Sequence, residues 1–149
     1  MSAFLLSIHV LAAILAIGPV AVAASMFPSA ARLAADDPKK AATLQVLHRT
    51  TRVYAAIGVL VPVFGLATGA RMGVLGDTWL IISLLLTVAA AGILVALILP
   101  GQKRVVDALG ADQPVTVRLG MTTGIFNLLW AAVVVLMIYR PGSTTGVGL

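Results

Sequence analysis

The sequence contains no cysteine and no glutamate, and only 10% of its 149 residues are charged. Without cysteine the chain forms no disulfide, no thiolate zinc site and no cysteine-bound iron–sulfur cluster. Without glutamate it lacks the carboxylate that helix-borne metal sites use most. A water-soluble domain has about 25% charged residues. The deficit excludes an ordinary soluble domain and indicates a chain that lies in lipid.

Four long apolar stretches occupy most of the chain, which is 60% hydrophobic and has a mean hydropathy of +1.09. They cover about 3–27, 53–70, 79–100 and 119–139, and none contains a charged residue. Each is close to the ~20 residues that span a hydrocarbon core. In lipid the backbone groups of a span must be paired internally, so each stretch should be a helix. The sequence predicts an all-α, four-transmembrane-helix bundle as one domain over 1–140, with a flexible tail over 141–149.

The first stretch has one alternative interpretation, a cleaved signal peptide. Ala21-Val22-Ala23 has the small-x-small form of a cleavage site. No lysine or arginine precedes the apolar run, however, and a signal peptide normally begins with such a basic segment. We therefore expect a retained first helix.

The distribution of lysine and arginine predicts the orientation of the helices. Most of these residues lie in the first and third connections, whereas the opposite side has only Arg71 and Arg140. Cytoplasmic loops carry the excess of positive charge. The pattern predicts a multi-pass membrane protein, N-out and C-out. The residues of the first and third connections are Arg32, Lys39, Lys40, Arg49, Arg52, Lys103, Arg104 and Arg118.

Helices 2 and 3 are predicted to extend into the cytoplasm. Asp37-Pro38 has the form of an N-cap followed by proline at the first helical position. A helix from there to about Ala70 would be ~50 Å long, which exceeds the ~30 Å hydrocarbon core. Pro100-Gly101 should bend or break helix 3 before a short extension that ends at Gly110. Asp112-Gln113-Pro114 repeats the cap pattern ahead of helix 4.

The basic residues flank apolar runs, which favours contact with membrane lipids and argues against nucleic acid. We expect a cytoplasmic rim that attracts anionic lipid headgroups. Its residues are His48, Arg49, Arg52, Lys103 and Arg104.

Small residues recur at intervals that allow close helix packing, which drives helix association in lipid. The predicted packing residues are Gly58, Gly65, Gly69, Gly92, Gly120, Gly124 and Asn127. The glycines allow close packing either between the helices of this bundle or between copies of the chain in an oligomer. Asn127 lies near the middle of helix 4, where it forms an interhelical hydrogen bond or contacts a ligand. Gly18-Pro19 and Pro62 should bend helices 1 and 2.

The sequence contains only two histidines, which are the first candidates for a haem or metal ligand. His9 lies in the outer part of helix 1 and His48 at the cytoplasmic end of helix 2, on the order of 20–30 Å apart. That separation excludes one haem b bound by both histidines. A site that pairs His9 with Met72 or Met137 remains open, because His–Met ligation is known for haem. The other interpretation of His9 is a hydrogen-bonded interfacial residue.

The sequence lacks the usual signatures of an enzyme. It contains no HExxH, Walker-type or GxSxG motif and no paired intramembrane carboxylates. No ionisable group lies near the predicted midplane, where transporters and pumps usually carry one. We therefore expect a non-catalytic protein with no cofactor.

The start of helix 1, Ile8-His9-Val10-Leu11-Ala12-Ala13-Ile14-Leu15 followed by Gly18, resembles a pattern in several bacterial four-helix membrane families. These are predicted integral membrane proteins of unknown function, the copper-resistance D type and the membrane protoporphyrinogen-oxidase type. In the redox-linked families this histidine is taken as a haem or metal ligand, which the resemblance would place at His9. The tryptophan often found before the glycine is absent here, where Ala16 and Ile17 precede Gly18.

Size and an Ala/Val/Gly-rich composition are also similar to those of accessory subunits of the actinobacterial respiratory bcc–aa3 oxidase supercomplex. The leading hypothesis is accordingly a non-catalytic accessory or assembly subunit of a bacterial plasma-membrane complex, with a respiratory cytochrome oxidase as host. Its expected partners are lipids and other integral membrane subunits, including oxidase components. The alternatives are a haem- or metal-binding protein that uses His9, and a small homo-oligomeric carrier or channel.

Overall fold

The protein is described by a computed structural model over residues 1–108 and 113–143. In those residues it is all-helical, without strands, and four helical spans are long and apolar enough to cross a membrane: Ser2–Asp36, Pro38–Met72, Thr78–Asp107 and Thr116–Tyr139. The predicted four-helix architecture is confirmed. Gly110, Asp112 and the tail beyond residue 143 lie outside the described residues.

The first span is a single helix, α1 (Ser2–Asp36), which continues through Pro19 and Pro28. The helix continues beyond the apolar stretch, which ends near Phe27, and Arg32, predicted in the first connection, is part of α1. The cause is local: residues 30–35 are mostly alanine and leucine, which have high helix propensity, so the helix propagates beyond the apolar run.

The second span begins as predicted. A 3₁₀ turn (Pro38–Lys40) follows Asp37, whose carboxylate accepts a hydrogen bond from the Lys39 backbone N–H at 3.0 Å. Helix α2 (Ala41–Gly58) and helix α3 (Leu60–Met72) are separated only at Val59. Pro62 has no N–H to donate to the carbonyl four residues earlier, which explains an interruption at Gly58–Val59. Gly73 ends α3 in the left-handed conformation, with φ of +70°.

The third span consists of helix α4 (Thr78–Ile93), a π turn (Leu94–Ile98) and helix α5 (Leu99–Asp107). Of the two expected outcomes, a bend or a break, the break is excluded, because the helix continues through Pro100. A proline ring clashes with the carbonyl four residues earlier and leaves it without a donor. The wider π turn directly ahead of Pro100 accommodates both effects.

The fourth span is helix α6 (Gln113–Tyr139). Helix α1 packs against α2, α3 and α6, while α4 packs against α6 and makes little contact with α3. We call the end with Met1, the 73–77 turn and Arg140 the terminal end. The opposite end, where α1 meets α2 and α5 meets α6, is the basic end.

Two clusters of buried side chains form the core. The cluster nearer the middle joins α1, the third span and α6, and includes Val20, Ile98 and Phe126. The cluster at the basic end contains Phe27 and residues from all four spans. The core thus lies in the middle and at the basic end, which leaves the terminal end less well filled.

Candidate functional sites in the bundle

His9 is held in place by the backbone of α3. Its ring is 8% exposed, and its Nδ1 lies 2.8 Å from the carbonyl oxygen of Val61. A carbonyl only accepts, so Nδ1 carries the proton and donates this bond. In the neutral ring the lone pair is then on Nε2. A protein often orients a ligating histidine in this way, with one nitrogen donating to a carbonyl and the other available to a ligand.

Gly65 provides the space for the His9 ring. A Cβ atom at position 65 would lie 2.9 Å from His9 Cε1 and 3.2 Å from Nδ1. Any side chain there would have to displace the imidazole. The sequence predicted Gly65 as a general packing residue, whereas the structure gives it one specific neighbour.

His9 lines a cavity of about 940 Å³ between α1, α3, α4 and α6. Binding sites for small molecules typically measure about 300–1,000 Å³ and are mostly apolar. The wall is mainly aliphatic and also includes Met72 and Met137. The two methionines considered from sequence as partners of His9 thus share its cavity. The cavity lies between these helices, and α3 and α4 make little contact with each other.

A cation–π pair lies at the terminal end of this cavity. The Arg140 guanidinium carbon is 5.3 Å from the centroid of the Trp79 ring, and both residues line the cavity. The indole Nε1 donates to Asp77 Oδ2 at 2.9 Å. Trp79 is only 5% exposed, so it packs within the protein.

Buried polar atoms continue below the cavity along α6. Asn127 donates from Nδ2 to Ser25 Oγ at 3.0 Å, an interhelical hydrogen bond of the predicted kind. Thr123 Oγ1, Asn127 Oδ1 and Trp130 Nε1 are buried without a hydrogen-bond partner among the described residues. Trp130 contacts Phe126 edge-on, with ring centroids 6.3 Å apart, and also lines the cavity.

At the basic end, His48 belongs to a hydrogen-bonded network that the sequence did not predict. His48 Nδ1 lies 3.1 Å from Gln102 Oε1, so Nδ1 donates to this amide oxygen. Gln102 is 1% exposed and donates weakly to Thr51 Oγ1 at 3.4 Å. His48 is thus partly buried and connects α2 to α5, at the opposite end of the bundle from His9. The other predicted rim residues, Arg49, Arg52, Lys103 and Arg104, are exposed.

The packing glycines fall into two groups. A Cβ at Gly58 would contact Ile17 and Ala16 on α1, and one at Gly69 would lie 3.0 Å from Leu80, so these glycines face other parts of the chain. The remaining three, Gly92, Gly120 and Gly124, are exposed, and a Cβ added to any of them would meet no neighbouring helix or side chain of the described residues within 4 Å. Packing within the described part of the chain therefore does not account for that second group.

Comparison with protein-family models, with curated proteins and with solved structures gives no match. The geometry of the described residues is therefore the basis for function. In that part of the chain, no group of three or more histidine and acidic residues is arranged to hold a metal ion. His9 remains the one candidate ligand there that combines burial, a fixed ring orientation and a cavity.

The sequence did not predict the hydrogen-bond partners of the two histidines. Gly65 lies 56 residues after His9 in sequence, and nothing local links them. Gln102 follows Pro100-Gly101, a pair that suggested a break, so no inward-facing position was expected there. Only if the alignment of the antiparallel first and second spans were known would the sequence place His9 near residues 61–65.

Proposed function

We propose that this chain is a non-catalytic accessory or assembly subunit of a bacterial plasma-membrane complex. The proposal is supported by the outward Gly120–Gly124 pair on α6, which has no packing partner among the residues that the structure describes. We propose a transmembrane helix of a neighbouring subunit as its partner, with a respiratory cytochrome oxidase as the host complex.

The energetics of glycine favour this role for the outward face. A glycine inside a helix costs about 1 kcal/mol relative to alanine. Lipid gives helices no hydrophobic reward for association, and close backbone approach at small residues supplies it instead. Gly124 lies beside Met121 and Leu128, which are 66% and 72% exposed. Large side chains beside a glycine groove are suited to interlock with a second helix.

We further propose that both termini lie outside the cytoplasm and that the basic end lies inside. The excess of lysine and arginine at that end supports this orientation. The spans also exceed the hydrocarbon core: Ser2–Asp36 and Pro38–Met72 have 35 residues each and Thr78–Asp107 has 30, equivalent to about 45–50 Å. Cytoplasmic extensions would then come from the first, second and third spans.

Gly124→Leu tests the association face. We expect it to weaken association with the host complex at least about tenfold, or about 1.4 kcal/mol, because the isobutyl group prevents close helix approach. Ala89→Leu, which adds similar bulk at an exposed position on α4, should have no such effect. The measurement is quantitative mass spectrometry of oxidase subunits that co-purify with the chain in mild detergent. A native chain that migrates as a monomer or homodimer, without oxidase subunits, would contradict the proposal.

A second candidate function, binding of haem b or a metal, is favoured by the geometry of His9. The bond from Nδ1 to Val61 leaves Nε2 as the ligating nitrogen, and the cavity of about 940 Å³ is large enough for a small-molecule cofactor. Met72 or Met137 would help His9 to hold a haem, and Arg140, which lines the same cavity, would interact with an acidic group of the cofactor. Such a group would add electron transfer, while the chain would bind and orient it.

The absorbance spectrum of the purified protein decides this second candidate. We expect a Soret band in the wild type and in His48→Ala, and its loss in His9→Ala, because only His9 of the two histidines lines the cavity. A wild-type protein with no Soret band and no stoichiometric metal would eliminate this function. A Soret band that persists in His9→Ala would show that a residue other than His9 binds the haem.

A further inference from the structure

A second, smaller pocket lies at the basic end, between α5 and α6. It has a volume of about 200 Å³ and is lined by Arg104 and Arg118 together with apolar residues that include Ala96 and Leu97. A single water molecule needs only about 10–15 Å³ of cavity volume, so the pocket has room for a phosphodiester group. It combines two guanidinium groups with an apolar wall.

The two arginines form no ion pair with an acidic residue in the described part of the chain. Both side chains are exposed, and neither has an ion pair or a side-chain hydrogen bond among the described residues. Within the same ranges, no acidic residue lines the pocket. Two cations that line one apolar groove without an acidic residue in its wall create a positive potential that favours an anionic group.

Close packing of α5 against α6 places the arginines beside one pocket. A Cβ at Gly101 would lie 2.8 Å from Leu119 Cδ2, so glycine at this position allows the two helices to approach. Leu119 is 3% exposed and belongs to the core cluster at the basic end. Arg104 follows Gly101 by three residues and Arg118 precedes Leu119 by one. The core contact therefore determines the position of both.

We propose that this pocket binds the phosphate of an anionic phospholipid. Arginine binds phosphate through two parallel N–H donors, which makes it better suited than lysine to this geometry. The apolar wall formed by Ala96 and Leu97 would contact the acyl chains, which a soluble phosphate compound lacks. The inference depends on the membrane location of the bundle and is independent of its partner complex or of any ligand at His9.

Native mass spectrometry of the full chain in detergent tests the site. The probes are phosphatidylglycerol, phosphatidylcholine with the same acyl chains, and inorganic phosphate. We expect one phosphatidylglycerol to bind more tightly than phosphatidylcholine, and Arg104→Gln or Arg118→Gln to weaken it about fivefold each. Arg118→Lys should retain part of the affinity, because it keeps the charge but loses the paired donors.

Arg32→Gln is the matched control, because Arg32 is an exposed arginine of the basic end that does not line the pocket. It should change phosphatidylglycerol affinity less than about twofold. An equal loss in Arg32→Gln would show a general basic surface and would overturn the proposal. Equal affinity for phosphatidylcholine, or displacement of the lipid by millimolar inorganic phosphate, would also overturn it.

Discussion

Phe27→Ala should destabilise the bundle by about 3 kcal/mol or more, the largest effect we expect from a single truncation. Phe27 is 0% exposed and belongs to the cluster in which all four spans meet, with Leu44, Val105 and Leu119. Truncation of a buried phenylalanine costs about 3–5 kcal/mol in water-soluble cores. We expect the lower part of that range, because lipid rewards burial of apolar surface less than water does.

The measurement is the free energy of unfolding in mixed detergent micelles, monitored by tryptophan fluorescence. Phe4→Ala is the matched control, since Phe4 is 63% exposed on the same helix and its truncation should change stability by no more than about 0.5 kcal/mol. Equal losses in the two variants would show that Phe27 is not a core residue and that the four spans do not meet around it.

Gly65→Ala should cost about 1–3 kcal/mol, the usual penalty for overpacking. The new methyl group would lie 2.9 Å from His9 Cε1, so the ring must move and its bond to Val61 must lengthen or break. Gly58→Ala, in which the nearest atom is Ile17 Cδ1 at 3.7 Å, should be neutral or stabilising by up to about 1 kcal/mol, because alanine restricts the unfolded chain.

A double-mutant cycle assigns the Gly65 effect to His9. In a His9→Ala background the imidazole is gone, and the cost of Gly65→Ala should fall to that of Gly58→Ala. The four free energies of unfolding, measured under the same detergent conditions, give the coupling energy directly. An undiminished cost in the His9→Ala background would mean that the alanine clashes with something other than the ring.

The sequence predicted the parts of the fold that depend on local composition. Charge-free runs of about 20 residues predicted four helices because lipid leaves the backbone no alternative. Asp37-Pro38 predicted the start of the second span because both the side-chain acceptor and the fixed φ of proline act locally. In both cases the physical cause lies within a few residues of its effect.

The sequence did not predict features that depend on how two helices are aligned. These features are contacts between different spans. They are the bond between His9 and Val61, the stacking of Arg140 on Trp79, and the bond between His48 and the buried Gln102. A shift of a few residues between neighbouring helices would remove each of them. Composition also could not show which glycines face the bundle, because an inward and an outward GxxxG pair have the same spacing.

The π turn determines which side of α5 faces the protein. From α4 onward, the buried positions follow alternating intervals of three and four residues, at Leu80, Ser83, Thr87, Ala90 and Leu94. Uninterrupted, this series would continue at Leu97, Gly101 and Arg104. The buried positions are instead Ile98, Gln102 and Val105, one residue later in each case, as a one-residue insertion would produce. A helix turns about 100° per residue, so a regular α-helix of unchanged length would turn the Arg104 guanidinium into the core and expose the Gln102 amide that His48 contacts. Deletion of one residue within 94–98 would instead remove the π turn and keep Gln102 and Val105 buried.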